Sequence, residues 1–518
     1  MNDVVNLIML VTAFSLILVG YPVAFTLAST AIGFAFIGHA FDLFPIGHLA
    51  FMGQRMYGIM SSETLVAVPL FVFMGLMLER SKIAEDLLTG MAALFGSKPG
   101  GLALSIVLVG ALLAASTGIV GATVVTMGLL GLPVMLKYGY DTRLATGTIC
   151  ASGTLGQIIP PSIVLIFLGD FLTYAAQQAN MRSGQIGKSS VSVSDLFAGA
   201  MIPGLLLVSL YLLYIVWTAW RSPHKCPALP RLFSQDASRT SLLKVLFPPV
   251  VLIVAVLGSI LMGIATPTEA ASVGAIGAVV LGASRVRANL TPLFIAGVLA
   301  AVVLIVLKLF FDLRFQRQVV PVDDAIAIGV AVVASLVIAA AGLSAIVVTG
   351  RDGALIDVMR RTARITAMVF TVLIGASLFT LVFRGFGGEE AVKHFFDALP
   401  GGLFGAMAFT MLVIFILGFF LDFMEIIFIV IPIVAPILIL MGADPIWLGV
   451  MIAVNLQTSF LTPPFGFALF YLRSVAPDSV KTTDIYRGAA PFIGLQLIGL
   501  LLVASFPALA TWFPRFLF

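Results

Sequence analysis

From residue 4 to residue 512 the chain is a succession of apolar runs, most of them long enough to cross a bilayer and joined by short polar links. A crossing helix needs about 20 predominantly apolar residues, and in lipid only helices or closed barrels satisfy their own backbone groups. With 60% hydrophobic and 10% charged residues and a mean hydropathy of +1.15, the 518 residues hold no polar block large enough for a separate soluble domain. The expected class is an all-α polytopic membrane protein, and all function must lie within the membrane. The start of the chain lacks the basic region and small-residue cleavage site of a secretory signal and reads as a retained first helix.

The same composition excludes several function classes. Cys150 and Cys226, with His39, His48, His224 and His394, show no metal-ligand spacing and no disulfide framework. No Ser-His-Asp, Cys-His or phosphate-loop pattern occurs, so neither an enzyme nor a cofactor is expected. The net charge of +4 comes from basic loops beside the membrane rather than from a nucleic-acid surface.

Apolar spans are predicted near 4–20, 22–42, 62–80, 144–176, 195–220, 243–263, 267–283, 290–310, 324–349, 362–384, 446–474 and 487–512. The regions 101–136 and 402–440 are each interrupted in the middle, and flexible or polar residues there, such as Ala115-Ser116-Thr117-Gly118, suit the tip of a re-entrant hairpin. The basic loop 221–244 carries Arg221, Lys225, Arg231, Arg239 and Lys244 against Asp236 alone, which places it in the cytoplasm.

At an offset of 303 residues Pro133 matches Pro436, Gly139 matches Gly442, Asp141 matches Asp444, and Pro160-Pro161 matches Pro463-Pro464. The chain therefore reads as two repeats of five crossings each. The odd number inverts the second repeat and puts the C-terminus in the periplasm. Residues 290–349 fall outside this scheme and read as an inserted helical pair.

A Pro-Pro pair in mid-span opens the helix and frees carbonyls that need partners. Ser152, Thr154, Gln157 and Ser162 surround the first break, and Asn455, Gln457, Thr458, Ser459 and Thr462 the second. Such oxygens suit a hard cation such as sodium, and broken helices near the midplane are where secondary transporters hold one; the alternative is a kink satisfied by ordinary helix contacts. In the second hairpin Asp422 and Glu425 share one helix face and could hold a cation, take up a proton or cap the tip. Glu269, in TPTEAA, is expected to cap a helix, and Glu63 and Asp170 are read as structural.

VPLFVFMG at 68–75, Ser-Thr-Gly at 116–118, SGTLGQIIPPS at 152–162, GIATPTEAASVGA at 263–275, RITAMVFTVLIGASLF at 364–379 and NLQTSFLTPPFGFALF at 455–470 together resemble the large membrane subunit (DctM type) of tripartite ATP-independent periplasmic (TRAP) transporters. The resemblance implies an elevator fold of two inverted repeats, each with a re-entrant hairpin and a discontinuous helix. Scaffold helices would occupy 1–100, 221–289 and 351–400 and the transport domain 101–220 and 401–518, with the inserted pair at 290–350. It implies sodium-coupled uptake of an organic acid such as a C4-dicarboxylate across the bacterial inner membrane, with a periplasmic binding protein and a small four-helix membrane subunit as partners. The chain opens directly with the large subunit's first span, so the small subunit is not expected to be fused here. Sodium would be held by Ser116, Thr117, Gly118, Gly153 and Thr154 at one site, and by Asp422, Thr458, Ser459 and Thr462 at the other. Substrate would lie between the tips, against Gly121, Gln157, Pro160, Glu425, Asn455 and Pro463. The runner-up is an ion-coupled organic-anion exporter or antiporter that needs no binding protein.

Overall fold

The computed structural model describes residues 2–81, 83–184, 191–229, 239–314 and 321–518, and side chains throughout these ranges except at 2, 3, 83, 84, 116, 117 and 239–246. Residues 230–238 of the basic loop lie outside the described residues, as do the side chains of Ser116 and Thr117. Every regular element among the described residues is helical. Among the described residues nine helices are long and apolar enough to cross a bilayer, and two bent helix pairs bring the number to eleven. The chain is a multi-pass membrane protein.

The first half runs α1 (Asn2–Val19), α2 (Val23–Ala40), α3 (Phe51–Met60), α4 (Glu63–Arg80), α5 (Ile83–Phe95), α6 (Gly101–Thr117), α7 (Val120–Lys137), α8 (Thr142–Thr154), α9 (Ile163–Arg182) and α10 (Val193–Arg221). The second runs α11 (Arg239–Leu261), α12 (Pro267–Val286), α13 (Thr291–Phe310), α14 (Val322–Arg351), α15 (Ala354–Gly385), α16 (Gly388–Ala398), α17 (Leu403–Leu417), α18 (Phe423–Leu440), α19 (Pro445–Leu461), α20 (Phe467–Val475), α21 (Thr482–Ser505) and α22 (Ala508–Leu517).

The two halves repeat each other in their local chemistry and in their packing. Shifted by 303 residues, α7 falls on α18 to the residue. Asp141 caps α8 by accepting from Arg143 N and Leu144 N, and Asp444 caps α19 by accepting from Ile446 N and Trp447 N. Packing is exchanged between the halves: α2 lies on α15 and α12 on α4, α1 on α16 and α11 on α5, α7 on α20 and α18 on α9. Such reciprocity is what a pseudo-two-fold relation between repeats produces.

The helix ends follow from sequence. Thr266 and Glu269 form a capping box at the start of α12, as the TPTEAA stretch predicts, and Ser192 with Asp195 does the same for α10. Several elements differ from the expected spans. The span expected at 62–80 is preceded by a helical segment, Ile46–Met60, bent from it by 51°, because Ser62 turns its hydroxyl to Leu65 N and starts a new helix. The span expected at 362–384 begins earlier, at Ala354, after Gly353 in the left-handed region. The span expected at 487–512 is two helices, since Pro507 has no amide to continue the ladder beyond Ser505. The short helices α5 and α16 carry Glu85, Asp86, Glu389 and Glu390 in their first turns, too polar for a search by apolar run.

The pair α13–α14 is packed on itself, with α14 also touching α12 and α15. Only 11% and 17% of their apolar windows are buried, so the rest of the chain leaves most of their surface uncovered. The basic segments gather at one end of the molecule: Asp141 N donates to Lys225 O (2.8 Å), Leu229 N to Gly96 O (2.7 Å), and Arg143 and Arg285 pair with Asp484 (3.2 Å) and Asp86 (2.7 Å).

Candidate functional site

Helices α6 and α7 are joined by only Gly118 and Ile119 and run back against each other, with Ile106 facing Gly131. Gly118 closes α6 in the left-handed region, φ 59°, and its amide returns to Ala114 O at 3.1 Å. A Cβ there would stand 3.3 Å from Ile163 N and 3.4 Å from Pro161 O, so the tip touches the opened backbone between α8 and α9. That break runs through a 3₁₀ turn, Leu155–Gln157, and the cis Pro160-Pro161 bond.

The second unit is built alike. Helix α17 ends at Gly418, where a Cβ would lie 2.6 Å from Ser459 Cβ on α19. The α19–α20 break contains Thr462, the cis Pro463-Pro464 bond and Gly466. Asn455 Nδ2 donates to Met411 O (2.8 Å), tying α19 to the first arm of its hairpin. Ser152, 303 residues earlier, stands in the same place against Gly110 of α6. In each repeat a hairpin tip meets the broken helix of that repeat.

The polar side chains at the breaks are mostly turned onto their own helices. Ser152, Thr458, Ser459 and Thr462 donate to the carbonyls of Thr148, Val454, Leu456 and Thr458, and Ser162 to Gln157 O. Their second lone pairs stay available to a ligand. Asp422 caps α18 by accepting from Phe423 N (2.8 Å), and Glu425 accepts from Asp422 N (3.2 Å), a complete capping box. Gln157 is the exception: it is fully buried, and neither its Oε1 nor its Nε2 has a hydrogen-bond partner among the described residues.

Residues 10–509 match the sequence model of the DctM component of the tripartite ATP-independent periplasmic transporters. The chain belongs to this family. It is 28% identical over 520 residues to a C4-dicarboxylate TRAP transporter large permease of Vibrio cholerae, covering 98% of this chain and 97% of that protein. It is 24% identical over 503 residues to an ectoine TRAP transporter large permease of Halomonas elongata, covering 97% of each. A solved YdaH transporter of Alcanivorax borkumensis aligns with 89% of this chain and 88% of that one, at 17% identity and a TM-score of 0.49.

Within this TRAP permease the residues expected at the sites divide into three groups. Gly118, Gln157, Pro160 and Ser162 gather at the first tip and break, and Asp422, Glu425, Ser459, Thr462 and Pro463 at the second, with Asn455 set back against the hairpin arm. Gly121 and Gly153 sit beside these units rather than at their tips. Gly121 lies under the Tyr471 ring of α20, and Gly153 gives room to Val124 of α7. Thr154 forms part of a different cluster. Gln457 Nε2 donates to Thr154 Oγ1 (3.4 Å) and Tyr211 Oη (3.3 Å), and Gln496 Nε2 donates to the same two oxygens at 3.3 and 2.7 Å. All four residues are fully buried, and Gln457 Oε1 and Gln496 Oε1 have no partner among the described residues.

Sequence reasoning missed Tyr211 and Gln496: Gln496 is the lone amide in the apolar stretch 491–504 of α21, which was itself the available signal, whereas Tyr211 lies among Ser209, Tyr214 and Thr218 in α10 and carried none. It also missed a group on α9, α15, α16 and α18. Arg384 pairs with Glu389 (2.6 Å), donates to Pro432 O (3.1 Å) and Gln178 Oε1 (3.3 Å), and lies over the Tyr174 ring; Arg182 also pairs with Glu389.

Proposed function

We propose that this chain is the large permease of a sodium-coupled TRAP transporter. It takes up a small organic acid delivered by a periplasmic binding protein, and a small four-helix membrane subunit is its partner. The observation that carries this reading is the duplicated contact between tip and break, Gly118 against Pro161 and Gly418 against Ser459. The Pro161 carbonyl stands at the first contact and the Ser459 hydroxyl at the second, and oxygen donors of that kind coordinate hard cations. The first sodium site is assigned to Ser116, Thr117, Gly118 and Gly153 with the break carbonyls, and Thr154 stands behind it in the central cluster. The second is assigned to Asp422, Thr458, Ser459 and Thr462. The substrate lies between the tips, with the unpartnered Gln157 amide as its first hydrogen-bonding group. C4-dicarboxylate transport by the Vibrio cholerae relative supports an organic acid as cargo.

Uptake proceeds by an elevator movement in which the hairpins, the broken helices, α10 and α21 move against α1–α4, α11, α12 and α15. The protein sits in the bacterial inner membrane, with the 221–244 side in the cytoplasm and the C-terminus in the periplasm. The test is uptake into vesicles containing the permease and small subunit with the binding protein outside. Accumulation should require an inward sodium gradient, and undiminished accumulation with potassium in place of sodium would sink the reading.

A further inference from the structure

A cavity of about 420 Å³ opens between α3–α4, α9, α15 and α18, and it is separate from both tips. Phe428 and Pro432 on its wall lie six and ten residues along α18 from Asp422, about 9–15 Å at 1.5 Å per residue. Its lining is mixed: Ile59, Leu65, Phe171 and Leu373 give apolar walls, and Ser62, Tyr174, Gln177, Ser377 and Thr380 give polar groups. Two guanidinium groups, Arg55 and Arg384, line it as well.

The charges around the cavity do not balance. Arg384 and Arg182 share Glu389, whose side chain is 7% exposed. Asp170 lines the cavity and accepts from the Ser62 hydroxyl at 3.5 Å. Arg55 makes no ion pair among the described residues, and its hydrogen bond there is to a neutral acceptor, Ser377 O at 3.3 Å. On the lining Arg55 and Arg384 stand against Asp170, and with Arg182 and Glu389 behind the wall three cations still meet two carboxylates, so the cavity carries one positive charge in excess. A guanidinium presents five donors in a rigid fork that matches a carboxylate, and the one bond donated to Ser377 O leaves Arg55 most of that fork. The volume falls within the roughly 300–1,000 Å³ range of small-molecule sites.

We propose that this cavity is a staging site for the organic-anion substrate, in which Arg55 receives a carboxylate before the anion passes to the tips. The anion bears one net negative charge in the cavity, and its body rests between Phe171, Leu373 and the Tyr174 ring. Arg384, fixed by Glu389, Gln178 and the Pro432 carbonyl, ties the cavity wall on α15 to hairpin arm α18. The staging role rests on the uptake reading above, whereas anion binding by the cavity does not.

Two measurements separate these claims. In the full-length protein in lipid nanodiscs, Gln177→Cys places a thiol on the cavity wall, and both native cysteines are buried. A sulfonate-bearing methanethiosulfonate reagent should modify it about tenfold faster than the trimethylammonium analogue, since local potentials of this kind raise encounter rates by about 10-fold or more. Arg55→Gln should abolish that preference and Arg55→Lys should keep it. Equal rates for the two reagents, or a preference untouched by Arg55→Gln, would overturn the anion site whether or not the vesicles transport. In vesicles that show sodium-driven uptake, Arg55→Gln should raise the KM for substrate about tenfold, the scale of one charge-assisted hydrogen bond. Sodium dependence should stay unchanged. An unaltered KM would overturn the staging role. Absence of sodium-driven uptake in the wild type would instead overturn the proposed function and leave the labelling result to decide on the cavity.

Discussion

Gln457 Nε2 donates to Thr154 Oγ1 across 3.4 Å, joining two residues 303 apart in the chain that occupy the same position in the two repeats. Equivalent residues meet only where the pseudo-two-fold axis passes, so this contact marks the centre of the inverted pair. Tyr211 of α10 and Gln496 of α21 close the cluster around it.

Tyr211→Phe removes the hydroxyl that both glutamines reach and should lower stability by about 1–3 kcal/mol, the cost of leaving buried polar groups unsatisfied. Thermal unfolding in detergent measures it. A double-mutant cycle with Gln496→Leu should be non-additive, since both changes remove the same 2.7 Å bond.

Gly418→Ala drives a methyl group into Ser459 and should cost about 1–3 kcal/mol by overpacking. Ser459→Gly in the same chain should recover a substantial part of that loss. Full additivity of the two changes would show that hairpin and broken helix are not in contact here.

Gln157→Leu should leave the unfolding midpoint unchanged or slightly raised, because the amide it removes has no partner among the described residues and an apolar group of similar shape suits a buried site. Uptake should nevertheless fall by at least about tenfold if that amide meets the substrate. Thr458→Ala and Ser116→Ala should each raise the sodium concentration for half-maximal uptake. Unchanged sodium dependence in both would return the breaks to ordinary satisfied kinks.

Val286 and Arg287 line the same small cavity as Val347, Val348, Arg351 and Asp352, so the two ends of the α13–α14 pair lie side by side. Joining 287 to 351 through a short Gly-Ser linker should give a protein that elutes as a single symmetric peak in detergent. Aggregation of the deletion would show that the pair supplies packing the remaining helices cannot do without.

Much of the architecture was legible before the structure because its signals are local or periodic. The apolar runs mark the crossings, TPTEAA marks the start of α12, and the offset pairs Asp141/Asp444 and Pro160/Pro463 mark the repeats. The bend between α3 and α4, the amphipathic α5 and α16, and the split at Pro507 were not anticipated, because each depends on a short polar stretch beside an apolar one. At the site, the Pro-Pro breaks and the hairpins were placed from the chain alone, but Thr154 was assigned to a tip and stands in the central cluster.

The sequence by itself determined that this chain lives in the membrane, that it is duplicated, and that a helix in each half must open at a Pro pair. Those consequences follow from lipid solvation and from the missing proline amide. Only the tertiary structure decided which polar residues face one another. Gln496 and Tyr211, or Arg384 and Glu389, carry no local sign of their partners, since their contacts close across helices far apart in the chain. Likewise, Arg55 reads as one more basic residue in a short polar-spotted stretch until the packing of α3 against α15 shows it facing a cavity without a carboxylate of its own.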